Sequence, residues 1–228
     1  MNAFLRVFRQ LRQIALMIAL LIVLPAYLFD VHGTWQVGLL CVVYALFLIG
    51  SVWNTIRYGQ FSQKQDDPEA RKALGGITYF FQIVGLWGVH WLAIFDFSRM
   101  KSLTLLLTDT VSLPVSILFL ATATFIIHIS TRTLGKFFDR LTVKKDHALV
   151  TTGIYGVVRH PVYLSYLVLF FGGCLLLQSL WGLVLLLVAG GITFGNHIRV
   201  EEAMLEKKFG AEFLGYKKKT KKLIPFLY

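Results

Sequence analysis

Three features of the sequence predict an all-α protein, a polytopic transmembrane helical bundle of about six spans. Hydrophobic residues fill 56% of the 228 positions, above the roughly 45–50% of average soluble domains. They are gathered in runs near the roughly 17–25 residues that a membrane helix needs. The basic residues fall between those runs, nearly all on one side.

The spans follow in order. The first is expected near Ile14 to Phe29, short, and kinked or ended by Pro25, which has no N–H to donate. Arg6, Arg9 and Arg12 precede it, but its exit reads AYLFDVHG, with no small-x-small site, so it reads as a retained anchor. The second runs near Val37 to Ile56, the third near Gly76 to Phe97, and the fourth near Val111 to Ser130. The fifth begins at Pro161, which fits the first helical position, and ends near Gln178. The sixth runs from about Trp181 to Ile198, joined to the fifth by a tight turn at Ser179 to Gly182, so the two form a helical hairpin. The division expected is 1–130 for the first four spans and 131–228 for a core of loop, hairpin and tail.

Charge sets the orientation. Of the 23 Lys and Arg, only Arg99 and Lys101 fall on one side. The other 21 lie in the N-terminus, the second loop, the loop before Pro161 and the C-terminal tail. The positive-inside rule then puts both termini and those loops in the cytoplasm, in the inner or plasma membrane if the source is bacterial. A net charge of +11 would suggest nucleic acid in a soluble chain. Here it is the excess of loops facing anionic lipid, so the expected partner is the bilayer and not nucleic acid. Cys41 and Cys174 lie inside apolar runs and make neither a disulfide framework nor a metal site.

Polar residues cluster at the cytoplasmic mouth, in HALVTTGIYGVVRHPVY from His147 to Tyr163 and NHIRVEEAMLEKKFGAEFLGY from Asn196 to Tyr216. Arg and Tyr at helix ends are ordinary interface anchors, and Glu201 and Glu202 also read as a solvated face. His160, beside Arg159 at a helix start, has no anchoring role. His90 and His128 lie inside the third and fourth spans, where ionisable groups are functional candidates; hydrogen bonding across helices explains them equally well.

The spacing H-x-L-V-T-T-G-x-Y-x-x-x-R-H-P-x-Y, then a hairpin, then E-E-x-x-L-x-x-x-F-G and a terminal I-P-x-L-Y, resembles the isoprenylcysteine carboxyl methyltransferase family. The phosphatidylethanolamine N-methyltransferases share its general pattern. The resemblance covers the chain from about Leu134 onward and implies S-adenosylmethionine-dependent methyl transfer to a lipophilic or lipidated acceptor. Its cofactor site falls on His147, Ala148, Leu149 and Val150 through backbone contacts, then on Tyr155, His160, Pro161, Val162, Tyr163 and Glu201. The physical reading agrees. A carboxylate such as Glu201 can hold an amino group or a ribose hydroxyl. Tyr155 and Tyr163 offer aromatic faces to adenine or a sulfonium. Freed N–H groups at the fifth helix's start suit a carboxylate.

Acceptor binding is expected on His197, Arg199 and Glu202. In the isoprenylcysteine enzymes an arginine one turn before the cofactor glutamate handles the substrate carboxylate. Here that position is His197, and Arg199 lies on a different helix face, which leaves the acceptor open. No general base and no oligomeric state are assigned. Sterol-type NADPH reductases have a similar layout but typically carry Asn between the Pro and Tyr, where this chain has Val162. A non-catalytic sensor or scaffold with the same pocket is the other alternative.

Overall fold

The computed structural model describes residues 3–58, 68–137 and 148–224. Among them the helices are α1 (Ala3–Ile18), α2 (Leu24–Leu28), α3 (Trp35–Tyr58), α4 (Pro68–Phe80), α5 (Leu86–Arg99), α6 (Asp109–Leu134), α7 (Pro161–Leu176), α8 (Leu180–Phe209) and α9 (Ala211–Lys219). A parallel bridge between Val158 and Lys221 is the extended pairing among these residues.

Five stretches are long and apolar enough to cross a membrane: Phe4–Leu28, Trp35–Tyr58, Lys72–Arg99, Asp109–Leu134 and Leu180–Phe209. The expected fifth span is shorter. α7 has 16 residues, roughly 24 Å of helix at 1.5 Å per residue, against a hydrocarbon core of about 30 Å. α8 has 30 residues and carries Glu201 and Glu202 on the same rod that crosses the bilayer.

Pro25 bends the first helix without ending it. It leaves the Leu21 carbonyl without its usual donor, and a π-turn at Ala19–Val23 absorbs the mismatch before α2 continues to Leu28. A second π-turn, Phe81–Gly85, joins α4 to α5. Just upstream, Gly75 at φ 70° breaks α4, next to the expected start of the third span. Gly85 marks the tightest approach to α8: a Cβ there would sit 2.7 Å from the Ala189 Cβ.

α6 packs along α7, α5 along α8, and α3 against α1 and α6. One apolar core runs through all of them, from Leu21 and Ile22 through Phe47, Ile94 and Leu120 to Leu169 and Phe194. The early spans and the hairpin therefore share a core, and α6 carries the chain across residue 130.

A polar clamp fixes the hairpin turn. Asp96, fully buried near the end of α5, accepts from the Ser102 amide at 3.1 Å, from the Ser179 hydroxyl at 2.7 Å and from the Ser102 hydroxyl. Ser179 in turn accepts from the Gly182 amide at 2.9 Å and caps α8. Gln178, at φ 54°, donates to the Ser112 hydroxyl of α6. This clamp sets the axial position of α8, and Glu201 lies roughly 32 Å further along it at 1.5 Å per residue.

The intramembrane histidines have partners. His90 donates from Nδ1 to the Leu86 carbonyl at 3.0 Å and accepts the Tyr44 hydroxyl at Nε2. His128 donates from Nδ1 to the Thr124 carbonyl at 2.7 Å.

Candidate functional site

Local sequence brings the two polar clusters together at the end of the bundle opposite the clamp. Gly153, at φ 59°, turns the chain into a 3-10 turn, Gly153–Gly156, that carries Tyr155. Val158 then pairs with Lys221 of the tail, and Pro161 opens α7 with Arg159 and His160 just outside it. Their amides donate to the Lys221 and Lys222 carbonyls at 2.8 and 3.2 Å. The free N–H groups expected at the helix start therefore do not include those of Arg159 and His160.

His160 caps no amide with its side chain; its ring turns to α8 instead. Nε2 lies 3.2 Å from Glu202 Oε1 and Nδ1 3.6 Å from Glu201 Oε2. Burial by itself would push the imidazole down. The hydrogen bonds and charge of the two carboxylates outweigh it and hold His160 above its ordinary value.

Glu202, 8% exposed, is fully engaged. It accepts from Arg159 Nε at 2.9 Å and pairs with Lys217 Nζ at 3.6 Å as well as with His160. Arg159 also donates from Nη1 to the Thr220 carbonyl at 2.5 Å and the Lys217 carbonyl at 3.3 Å. Glu202 thus ties α7's start and the tail to α8. Glu201 keeps a side chain 35% exposed and lies 3.6 Å from His160 Nδ1 through Oε2.

Tyr163 stacks on the His160 ring, centroids 5.8 Å apart, and meets Phe194 at 5.7 Å and His197 at 6.1 Å. Tyr155 is buried, and its carbonyl accepts from the Tyr216 hydroxyl at 2.6 Å. Its own hydroxyl is buried without a hydrogen-bond partner among the described residues. Burial first, then the nearby Glu201 charge, raise its pKa well above the ordinary value and keep it a neutral donor.

Of the other expected residues, Ala148 is exposed, Leu149, Val150 and Val162 are half-buried, and Pro161 is buried. His147 lies outside the described residues. His197 donates from Nε2 to Gln82 Oε1 at 3.1 Å. Arg199 is exposed, on a face of α8 turned away from His197 and Glu201 as its spacing requires. The structure therefore gathers Tyr155, His160, Tyr163, His197, Glu201 and Glu202, and leaves Arg199 outside.

Sequence reasoning missed Gln82, Thr193 and Thr220. Gln82 interrupts an apolar run, which is a signal in hindsight; the others sit in contexts no motif marks. Among the described residues no group of three His, Cys, Asp or Glu is placed to hold a metal ion.

These residues fit an adenosyl sulfonium amino acid. Glu201 presents a partly open carboxylate and Tyr155 a buried hydroxyl without a partner among the described residues.

Comparison with known proteins gives the site a context. Residues 111–212 match the family described as phospholipid methyltransferase. The protein-S-isoprenylcysteine O-methyltransferase of Saccharomyces cerevisiae is 38% identical over 102 residues, which cover 43% of each chain. Its Schizosaccharomyces pombe counterpart is 34% identical over 96 residues, 41% of each. The match thus spans less than half the length of these relatives. The solved structure of a eukaryotic intramembrane Ras methyltransferase, an isoprenylcysteine carboxyl methyltransferase, aligns over 94% of this chain and 75% of its own, with a TM-score of 0.54 and 22% identity, a likeness of fold. The motifs and the comparisons agree: this is a polytopic membrane protein whose C-terminal half is similar to the isoprenylcysteine and phospholipid methyltransferases.

Proposed function

We propose that the chain is an integral membrane methyltransferase that uses S-adenosylmethionine at the cytoplasmic face and acts on a lipophilic or lipidated acceptor. One observation carries the reading: the His160 ring is held between Glu201 and Glu202 at the start of α7, beside a buried Tyr155 hydroxyl with no partner. When bound, the cofactor supplies an electrophilic methyl group on a sulfonium. Glu201 holds its ammonium or a ribose hydroxyl. His160 and Tyr163 fix the Glu201 carboxylate, and Tyr155 donates its hydroxyl. Arg159 and Glu202 keep the tail packed against the site, which excludes water and fixes geometry; orientation of this kind supplies much of the acceleration in an in-line displacement. The basic excess around this face supports its cytoplasmic placement. The relatives' names describe O-methylation of isoprenylated cysteine, and an acceptor with a lipid tail reaches such a site from within the bilayer.

Calorimetric titration of the purified chain with S-adenosylmethionine, S-adenosylhomocysteine and NADPH tests this reading. Saturable binding of the two adenosyl ligands alone is expected, and binding of NADPH alone would overturn it. Glu201→Ala and His160→Ala are each expected to weaken adenosyl binding by about tenfold or more, roughly 1.4 kcal/mol, while the protein stays folded. Wild-type affinity in both folded variants would refute the site.

A further inference from the structure

We propose that Thr193 and His197 of α8, with Gln82 of the π-turn, form the subsite for the acceptor's head, and that it takes an uncharged hydrogen-bonding head rather than a carboxylate. This rests on the methyltransferase reading above and adds the chemistry by which the acceptor is chosen.

Thr193 is the first observation. It is 2% exposed and its hydroxyl has no hydrogen-bond partner among the described residues. That is unusual within this chain. Thr78, Thr124, Thr131, Thr133 and Thr220 each donate to the carbonyl four residues back, the ordinary way for a helical threonine to satisfy itself. A buried polar group without a partner needs an explanation, and a ligand is one.

Its neighbours supply the second. Thr193, His197 and Glu201 follow one another at intervals of four and so share one face of α8, each step about 6 Å along the axis. Exposure rises along the series, from 2% at Thr193 through half-buried His197 to the 35% exposed Glu201 side chain. The face thus leads from the cofactor carboxylate into the bundle. Tyr163 and Phe194 place aromatic rings beside it.

The π-turn is the third. Phe81–Gly85 packs against α8 and comes from outside the matched segment 111–212. π-turns interrupt a helix at a stability cost and recur at functional sites. This one presents Gln82, whose Oε1 accepts a hydrogen bond from His197 Nε2 at 3.1 Å and fixes the ring.

Charge decides the class of head. Thr193 and Gln82 are neutral hydrogen-bonding groups, and His197 carries no fixed charge. Among the described residues, the cations that meet this end's glutamates are engaged: Arg159 with Glu202, and Lys217 with Glu202 and Glu206. An acceptor carboxylate at this depth would be buried one or two turns from the Glu201 carboxylate and beside neutral Thr193 and Gln82, which is costly. A hydroxyl or amide head meets partners that match it.

Two probes of nearly equal shape isolate the charge: S-farnesylthioacetamide, which is neutral, and S-farnesylthioacetate, a carboxylate at pH 7. Binding is measured to the full chain in lipid nanodiscs, with and without S-adenosylhomocysteine. The neutral probe is expected to bind at least about tenfold tighter, and Thr193→Val and Gln82→Met should each reduce that preference severalfold with adenosyl affinity unchanged. Thr193→Val should also raise Tm, because it removes an unsatisfied buried hydroxyl. A higher Tm with unchanged probe binding would show a merely structural threonine and overturn the subsite. Equal or tighter binding of the carboxylate probe would overturn the choice of head. Selective amide binding without any adenosyl binding would leave the subsite standing and refute the methyltransferase reading instead.

Discussion

The bundle buries carboxylates at both ends and treats them differently. At the hairpin turn, Asp96 is wholly enclosed and satisfied by an amide and two hydroxyls, all neutral. At the other end, Glu202 is met by Arg159, His160 and Lys217, and the adjacent Glu201 keeps its side chain partly open. A closed shell of neutral donors fixes geometry and leaves nothing for a ligand. A charged shell that fully satisfies one glutamate and only partly covers its neighbour fixes geometry and leaves one carboxylate available. On the proposed reading, the end with the partly open carboxylate is the one built for chemistry.

The largest effect that sharpens this contrast is expected from Arg159→Ala. It strips Glu202 of its main partner and releases the Lys217 and Thr220 carbonyls. Breaking a buried ion pair from one side costs about 3–5 kcal/mol. Thermal unfolding should show that loss, and protease should reach the tail near Lys217 first. A Tm within a degree of wild type would mean that the pair does not hold the tail.

Asp96→Asn should cost less, about 1–3 kcal/mol, because one oxygen remains an acceptor while the new amide meets hydroxyls that can rotate. Adenosyl affinity measured on the folded variant should not change. A large loss of affinity there would break the comparison, since it would make the clamp part of the site and not only its support.

The smallest effect is a pH dependence. His160 is held above its ordinary value by Glu201 and Glu202 against the opposing effect of burial, so protonation favours the folded, paired state. The contribution is complete below the unfolded imidazole value of about 6.5 and is lost as pH rises through the higher folded value. Stability of the site end should fall over that window, read by hydrogen exchange of the α7 start and the tail. His160→Gln should flatten the profile. A wild-type profile flat from pH 6 upward would contradict the pairing.

Much of this was legible in the chain. Apolar runs gave the helices, because a segment in lipid must satisfy its own backbone. Basic residues between the runs marked one face. The Arg-His-Pro start of α7 and the double glutamate of α8 marked the residues that the fold brings together, because Pro161 can open a helix and acids this near a membrane need partners.

Other features were set only by tertiary structure. Composition does not distinguish Glu201 from Glu202, yet a turn of about 100° between neighbours on α8 buries Glu202 under Arg159 and leaves the Glu201 side chain partly open. Arg159 and Glu202 are 43 positions apart, and Gln82 and His197 are 115 apart; contacts at such separation depend on how helices cross. Two π-turns escape any hydrophobic period, since each adds a residue to a turn. The sequence by itself determined which segments enter the membrane and which residue types stand at its face, because partition and charge depend on local composition. Packing alone decided which carboxylate is spent and which is available, because that depends on the distances and burial that helix crossing creates.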